Sequence, residues 1–278
     1  MHTVTEQQLC QAVSDATKRA LAIAETHLPD DVTAALQAAY ASEKNPVARA
    51  ELGAILENIA LAEETNRPIC QDTGVPVIFI TLPRKIPLTA AIEEGVRDGV
   101  ARATASIPLR PNVVSPMTRA NSGTNCGEGM PIVHISPGDT FTLTALPKGA
   151  GSENVSRIAM LLPSRVDDIR RFVVETALEA GGRPCPPVIL GVGIGGTFDR
   201  AALLAKEALL EPINDMDPFE QQICDDVNRL GIGPMGLGGA TTCLAVKVKQ
   251  AGCHTASLPV AVNIQCWAAR RATVEVVL

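Results

Sequence analysis

Along the first 65 residues apolar side chains return every three to four positions, through Leu9, Val13, Ala16 and Ala20 and again through Val47, Leu52, Ile55 and Ile59. That period keeps one stripe of a helix apolar and predicts amphipathic helices, punctuated at Pro29 and Pro46 and stopped by Pro68. The period then changes. VPVIFITLP, which follows Gly74, is a short apolar run of strand length and predicts a buried strand. Residues 86 to 105 return to helical spacing. The stretch PLRPNVVSPMTRANSGTNCGEGMP is rich in Pro, Gly, Ser, Thr and Asn, which predicts an ordered functional loop.

Further along, IVHISPGDTFTLTALPKG reads as two strands joined by a tight Pro-Gly turn, and KGAGSEN as a glycine loop entering a helix. A helix is expected from about Ser164 to Ala180, ended by Gly181 and Gly182. A strand and a helix follow within RPCPPVILGVGIGGTFDR, another helix spans Pro218 to Leu230, and glycine turns and strand lead to His254 and Cys266. The pattern mixes helices with short strands, so the expected class is α+β. Without a repeat, a low-complexity segment or a clean linker, residues 1–278 are read as one domain.

Charge narrows the partners. The chain carries 24 Lys and Arg against 30 Asp and Glu, a formal charge of −6, and no basic run exceeds two residues, which argues against nucleic acid. Aromatic residues make up 3%, too few for a base-stacking platform. The longest apolar stretches fall short of the roughly 18 residues that a membrane span needs, and MHTVTEQQLCQAVSD has neither a basic flank nor an apolar core. The expectation is a soluble, cytoplasmic protein.

Eight cysteines are many for such a compartment, where disulfides seldom persist. None forms a CxxC pair, which argues against a zinc ribbon and a thioredoxin-type site. Cys10 and Cys224 lie in helical patterns and Cys243 beside a strand, so all three read as packing, the usual fate of a free cysteine. Cys126 and Cys253 are left without a role. Cys70, Cys185 and Cys266 each stand at a junction between elements, and composition alone leaves them open between core and ligand. GVGIGG, Gly191 to Gly196, formally matches a dinucleotide fingerprint, but the preceding cysteine and prolines fit a Rossmann unit poorly; the glycines suit close backbone approach instead.

ICQDTG, the TRANSGTN loop, LPKGAGSEN, CPPVILGVGIGGT and HTASLPVAVNIQCWAARR, in this order and over nearly the whole chain, resemble the alpha subunit of two-subunit class I fumarases and L(+)-tartrate dehydratases. The resemblance implies a 4Fe-4S cluster held by Cys70, Cys185 and Cys266, with one iron lacking a protein ligand and free to act as a Lewis acid. It implies catalytic roles for Asp72, His254 and Arg119, and substrate contacts from Gln71, Arg119, Gly149 and Gly151. Arg119 suits a carboxylate because its planar fork donates two parallel hydrogen bonds. Asp72 also suits a plain turn with Thr73 and Gly74. His134, on an expected strand, is read as structural.

The family's more common KGGGSAN is here KGAGSEN, so Glu153 brings negative charge toward a site for dianions, with Lys148 either offsetting it or facing solvent. SCSADR is replaced by QCWAARR, which keeps the cysteine and a basic residue but adds Trp267. The implied activity is reversible hydration of fumarate to (S)-malate, with dehydration of L(+)-tartrate to oxaloacetate as the rival. The implied partners are a dicarboxylate and a beta subunit in an alpha2beta2 assembly. A non-catalytic iron-sulfur sensor and a zinc-stabilised structural protein are the readings from other classes.

Overall fold

The computed structural model describes residues 4–278, so the first three residues of the stretch searched for a signal sequence lie outside it. The fold is α+β, as the pattern predicts, and its contacts divide the chain into two compact units. The first comprises the chain up to Pro29, Ile59–Gly149 and Arg270–Leu278; the second comprises Asp30–Asn58 and Ala150–Ala269. No described helix is long and apolar enough to cross a membrane.

The first unit packs helices α1 (Glu6–Thr26) and α4 (Ala90–Ser106) on a four-stranded sheet. Thr5 starts α1 through a capping box with Gln8, which satisfies two amide groups that the first turn leaves open. The predicted strand is β1 (Val75–Pro83). The expected pair of strands is also present, as β2 (Ile132–Gly138) and β3 (Thr142–Lys148), but they do not form a hairpin. The sheet order is β2-β1-β3-β8, with β8 at Ala272–Glu275, so β1 lies between them, parallel to β2 and antiparallel to β3. A local turn signal identified the strands and not their neighbours, because the pairing is non-local. Ile78 opposes Ala145 and Ile80 opposes Leu143, which puts all four on the core side with Val13, Leu21, Ile92 and Val100. Burying each Val, Leu or Ile side chain of this set contributes about 1.5–3 kcal/mol. α4 begins at Ala90 rather than at residue 86, with Thr89 as its N-cap. His134, on β2, stacks on Phe79 of β1 at 4.9 Å between ring centres.

The second unit is a three-layer arrangement around the sheet β4-β7-β5-β6. β4 is Arg157–Leu161, β5 Val188–Gly196, β6 Cys243–Cys253 and β7 Leu258–Gln265; β5 runs parallel to β6 and antiparallel to β7. Helices α2 (Asp30–Ser42) and the start of α3 (Pro46–Thr65) belong to this unit, as do α5 (Ala150–Glu153), α6 (Asp168–Ala180), α7 (Phe198–Ala208) and α8 (Pro218–Arg229). Side chains alternate along β5. Val188, Leu190 and Val192 meet Phe172 and Val173 of α6 and Ile223 and Val227 of α8. Gly191 and Gly193 turn to the other face, where α7 crosses so closely that a Cβ would overlap the carbonyl oxygens of Ala205 and Ala201. GVGIGG is therefore strand, and its glycines admit a helix. α8 begins where D-P-F-E supplies a capping Asp217, Pro218 and a reciprocal Glu220.

Two expectations shift here. The glycine loop KGAGSEN enters only a single turn, α5, and β4 follows it where no strand was expected. The helix read from Ser164 begins at Asp168.

Candidate functional site

In the first unit the segment of Cys70, Gln71 and Asp72 is pinned from several directions. The Ile69 amide donates to the Glu25 carbonyl at 2.8 Å. The Asp72 carbonyl accepts from Arg270 Nη2 at 2.8 Å. Asp72 Oδ1 accepts from the Gly74 amide at 3.0 Å, the turn that its sequence position suggests, and also from Asn112 Nδ2 at 3.3 Å. Thr73 Oγ1 donates to the Arg110 carbonyl and accepts the Arg110 amide, at 3.2 and 3.1 Å. Gly149 belongs to the same cluster: a Cβ there would lie 3.3 Å from Asp72 Oδ2 and 3.7 Å from Arg270 Nη2. Gln71 is exposed and Cys70 half-buried beside it.

Arg119 lies on the expected ordered loop, which hangs from the buried Asn125. The Asn125 side chain accepts the Asn112 amide at 2.6 Å and donates to Thr104 Oγ1 and the Arg110 carbonyl, both at 3.1 Å. Arg119 itself is exposed and adopts φ +59°, a left-handed conformation uncommon for a residue with a Cβ. Strain of this kind concentrates where a side chain must be aimed.

In the second unit Cys185 and Cys266 come together at the sheet end where β5 starts and β7 finishes. Ile189 opposes Gln265 there, and the Trp267 amide donates to the Cys185 carbonyl at 3.3 Å. Cys185 has φ +54°. Gly151, in α5, packs at the same end, its would-be Cβ 3.4 Å from the Arg183 carbonyl. His254 does not join them. It is exposed in the turn before β7, so the eight residues of that strand separate it from Cys266, roughly 25 Å of extended chain at about 3.3 Å each. Its Nδ1 accepts the Ala256 amide at 3.0 Å, which leaves the proton of the neutral ring on Nε2.

Glu153, the charged departure in KGAGSEN, is neutralised locally: Oε1 meets Lys206 Nζ at 2.6 Å and Oε2 accepts from Asn263 Nδ2 at 2.8 Å. Lys148 is buried, at 1% exposure, and does not face solvent. Cys224 and Cys243 are buried core residues and Cys253 is exposed, while Cys126 is half-buried with Sγ 3.3 Å from the Arg97 carbonyl.

Sequence reasoning missed four residues that converge on the Asp72 turn: Glu25, Arg110, Asn112 and Arg270. The signal for Arg270 was present as the basic residue kept after Cys266. Arg270 and Glu25 form an ion pair at 2.7 Å with 1% and 0% side-chain exposure. Burial pushes the Glu25 carboxyl up to about 7, against the pull of Arg270 and with a smaller upward push from Asp72. A carboxyl raised from 4.5 in the unfolded chain keeps its proton in the folded state through that window, so its contribution to stability is complete below about 4.5 and lost as pH rises through about 7. Urea unfolding at a series of pH values is expected to show this decline in the parent protein and a flatter slope in Glu25→Gln.

Cys70, Cys185 and Cys266 are all half-buried, and the described residues contain no disulfide among them. Thiolate sulfur is the donor that iron-sulfur clusters require, and two of the three thiols already share one sheet end, so the donor set fits such a group. Among the described residues no three His, Cys, Asp or Glu side chains stand ready to hold a single metal ion.

Comparison with known proteins gives the class first: the chain is a hydro-lyase. It belongs to the family described as fumarate hydratase (Fumerase), whose model matches residues 14–275. It is 46% identical over 273 residues to a Methanocaldococcus jannaschii protein provisionally named L(+)-tartrate dehydratase subunit alpha, covering 94% of this chain and 96% of that one. The L(+)-tartrate dehydratase subunit alpha of Escherichia coli strain K12 is 32% identical over 286 residues, covering 99% of this chain and 94% of that one. The Shigella sonnei protein of the same name matches to the same extent.

Proposed function

We propose that the chain, residues 1–278 acting as one catalytic module, is the alpha subunit of an iron-sulfur hydro-lyase that interconverts (S)-malate and fumarate. The observation that carries this reading is the family match over residues 14–275; free thiols at the three positions that the resemblance implies support it. Cys70, Cys185 and Cys266 would hold a 4Fe-4S cluster with one iron lacking a protein ligand, and that iron would supply Lewis acidity at the substrate hydroxyl.

The rest falls to side chains. Arg119 grips a substrate carboxylate through its fork, and Gln71 and Asp72 hydrogen-bond the substrate's polar groups. Asp72 can do so because its turn and its Asn112 contact fix its direction before substrate arrives. The Gly149 backbone offers a close approach beside Asp72, and Gly151 a second one near Cys185. His254 offers its Nε2–H as a hydrogen-bond donor to a substrate oxygen. The general base that removes the proton from the adjacent carbon comes from a beta subunit in an alpha2beta2 assembly, a partnership supported by relatives named as alpha subunits.

A second reading, dehydration of L(+)-tartrate to oxaloacetate, is favoured by the names of those same relatives. Steady-state rates with both substrates, using anoxically prepared complex, separate the two. Arg119→Ala is expected to lower kcat/KM by about 10–100-fold, the equivalent of one charge-assisted hydrogen bond of roughly 1.5–3 kcal/mol. Arg119→Lys, which keeps the charge without the fork, is expected to fall between. Activity unchanged in Arg119→Ala would remove Arg119 from the substrate contacts, whereas a loaded cluster with no turnover of either substrate would favour a non-catalytic iron-sulfur sensor.

A further inference from the structure

We infer that Glu25 and Arg270 are positioning residues that fix the Cys70–Asp72 segment from both ends. The inference rests on the roles proposed above for Cys70 and Asp72.

The pair brackets the segment. Arg270 Nη1 donates to Glu25 Oε2 at 2.7 Å while Nη2 donates to the Asp72 carbonyl at 2.8 Å, and the Glu25 carbonyl accepts the Ile69 amide at 2.8 Å. Cys70 and Gln71 therefore lie between a backbone hydrogen bond to Glu25 and a side-chain hydrogen bond from its ion-pair partner Arg270. An arginine fork is the right device, because its donors are fixed in one plane and can hold two acceptors in register.

Stability alone does not account for this pair. Taking both charges out of water costs about as much as their attraction returns, so well-packed apolar residues would serve a purely structural purpose as well or better. The Glu25 end of the pair also borders a cavity of about 10 Å³ lined by Glu25, Thr73, Gly74, Asn125 and Pro147, so it lies directly behind the Asp72 turn. The chain also enters the first unit at Arg270, four residues after Cys266, so the residue that ends one ligand region anchors the other.

The test is native-state alkylation of the metal-free, folded full-length chain with iodoacetamide, read peptide by peptide by mass spectrometry, with exposed Cys253 as internal reference. In Arg270→Lys and Glu25→Gln the Cys70 rate is expected to rise roughly tenfold relative to Cys253, as local opening becomes easier. Arg270→Lys keeps the charge, so its increase reports position rather than thiolate fraction. Lys247→Gln breaks the buried Lys247–Glu220 pair of the other unit and is expected to leave Cys70 unchanged. The inference is overturned if Cys70 reacts at the parent rate in both folded variants or if Lys247→Gln raises it equally. Failure of both variants to fold would also overturn it, by making the pair structural only. Because no iron and no substrate enter the assay, its result is separable from the fate of the hydro-lyase reading, which iron content and turnover of the unsubstituted complex decide.

Discussion

Serine in place of Cys70, Cys185 or Cys266 will strip iron and acid-labile sulfide from the chain and reduce turnover to background, whereas Cys10→Ser and Cys224→Ser will retain both. Serine is nearly isosteric but is a hard oxygen donor at neutral pH, so it removes the ligand without removing the side chain. Changes one shell farther from a metal typically cost about 10–100-fold, and loss of a ligand exceeds that. The controls are informative because of their surroundings. Cys224 sits in the core of the second unit among Ile223, Val227 and Cys243, and Cys10 lies on α1 against the core of the first. Their replacement costs packing and stability, read as a lower melting temperature, and no iron. Equal iron loss at all five positions would mean that iron content follows folding rather than ligation.

Gly193→Ala will destabilise the second unit at or beyond the upper end of the about 1–3 kcal/mol usual for overpacking. The new methyl would meet the Ala201 carbonyl oxygen, a backbone atom in the middle of α7, so no side-chain rotation relieves the clash. α7 must lift off β5, uncovering its own Ala201 and Ala205 and Ala261 of β7, which pack together. Gly252→Ala, where a Cβ meets nothing within 4 Å, is the matched control and should cost little. Denaturant unfolding of the two variants measures the difference. A mild effect at Gly193 would reopen the question of what GVGIGG is for.

What the sequence made legible was local. β1 was readable to the residue because Gly74 and a run of β-branched and aromatic side chains bound it, and α8 because D-P-F-E encodes its own cap. β4 escaped because it is five residues at a sheet edge with Arg157 and Met160 exposed, and its short apolar run, Ile158 to Leu162, carries no alternation that marks it as strand. The order β2-β1-β3 escaped because a three-residue connection after Pro-Gly looks like a hairpin whether or not another strand lies between. The candidate site divides in the same way. Cys70, Cys185 and Cys266 stood out through resemblance and order, since their spacing matches no compact ligand motif. The Glu25–Arg270 pair, 245 residues apart, could not be read from either residue's neighbours. His254 showed the opposite limit: near Cys266 in sequence, it is held away from it by the length of one strand.

The most direct test of the central claim is malate dehydration, followed as the ultraviolet absorbance of fumarate, by the anoxically prepared chain co-expressed with the proposed beta subunit and assayed for iron and sulfide. The account predicts fumarate formation that depends on the loaded cluster and is lost in Cys70→Ser. A loaded complex that converts neither malate nor L(+)-tartrate, or a folded complex that binds no iron at all, would contradict it.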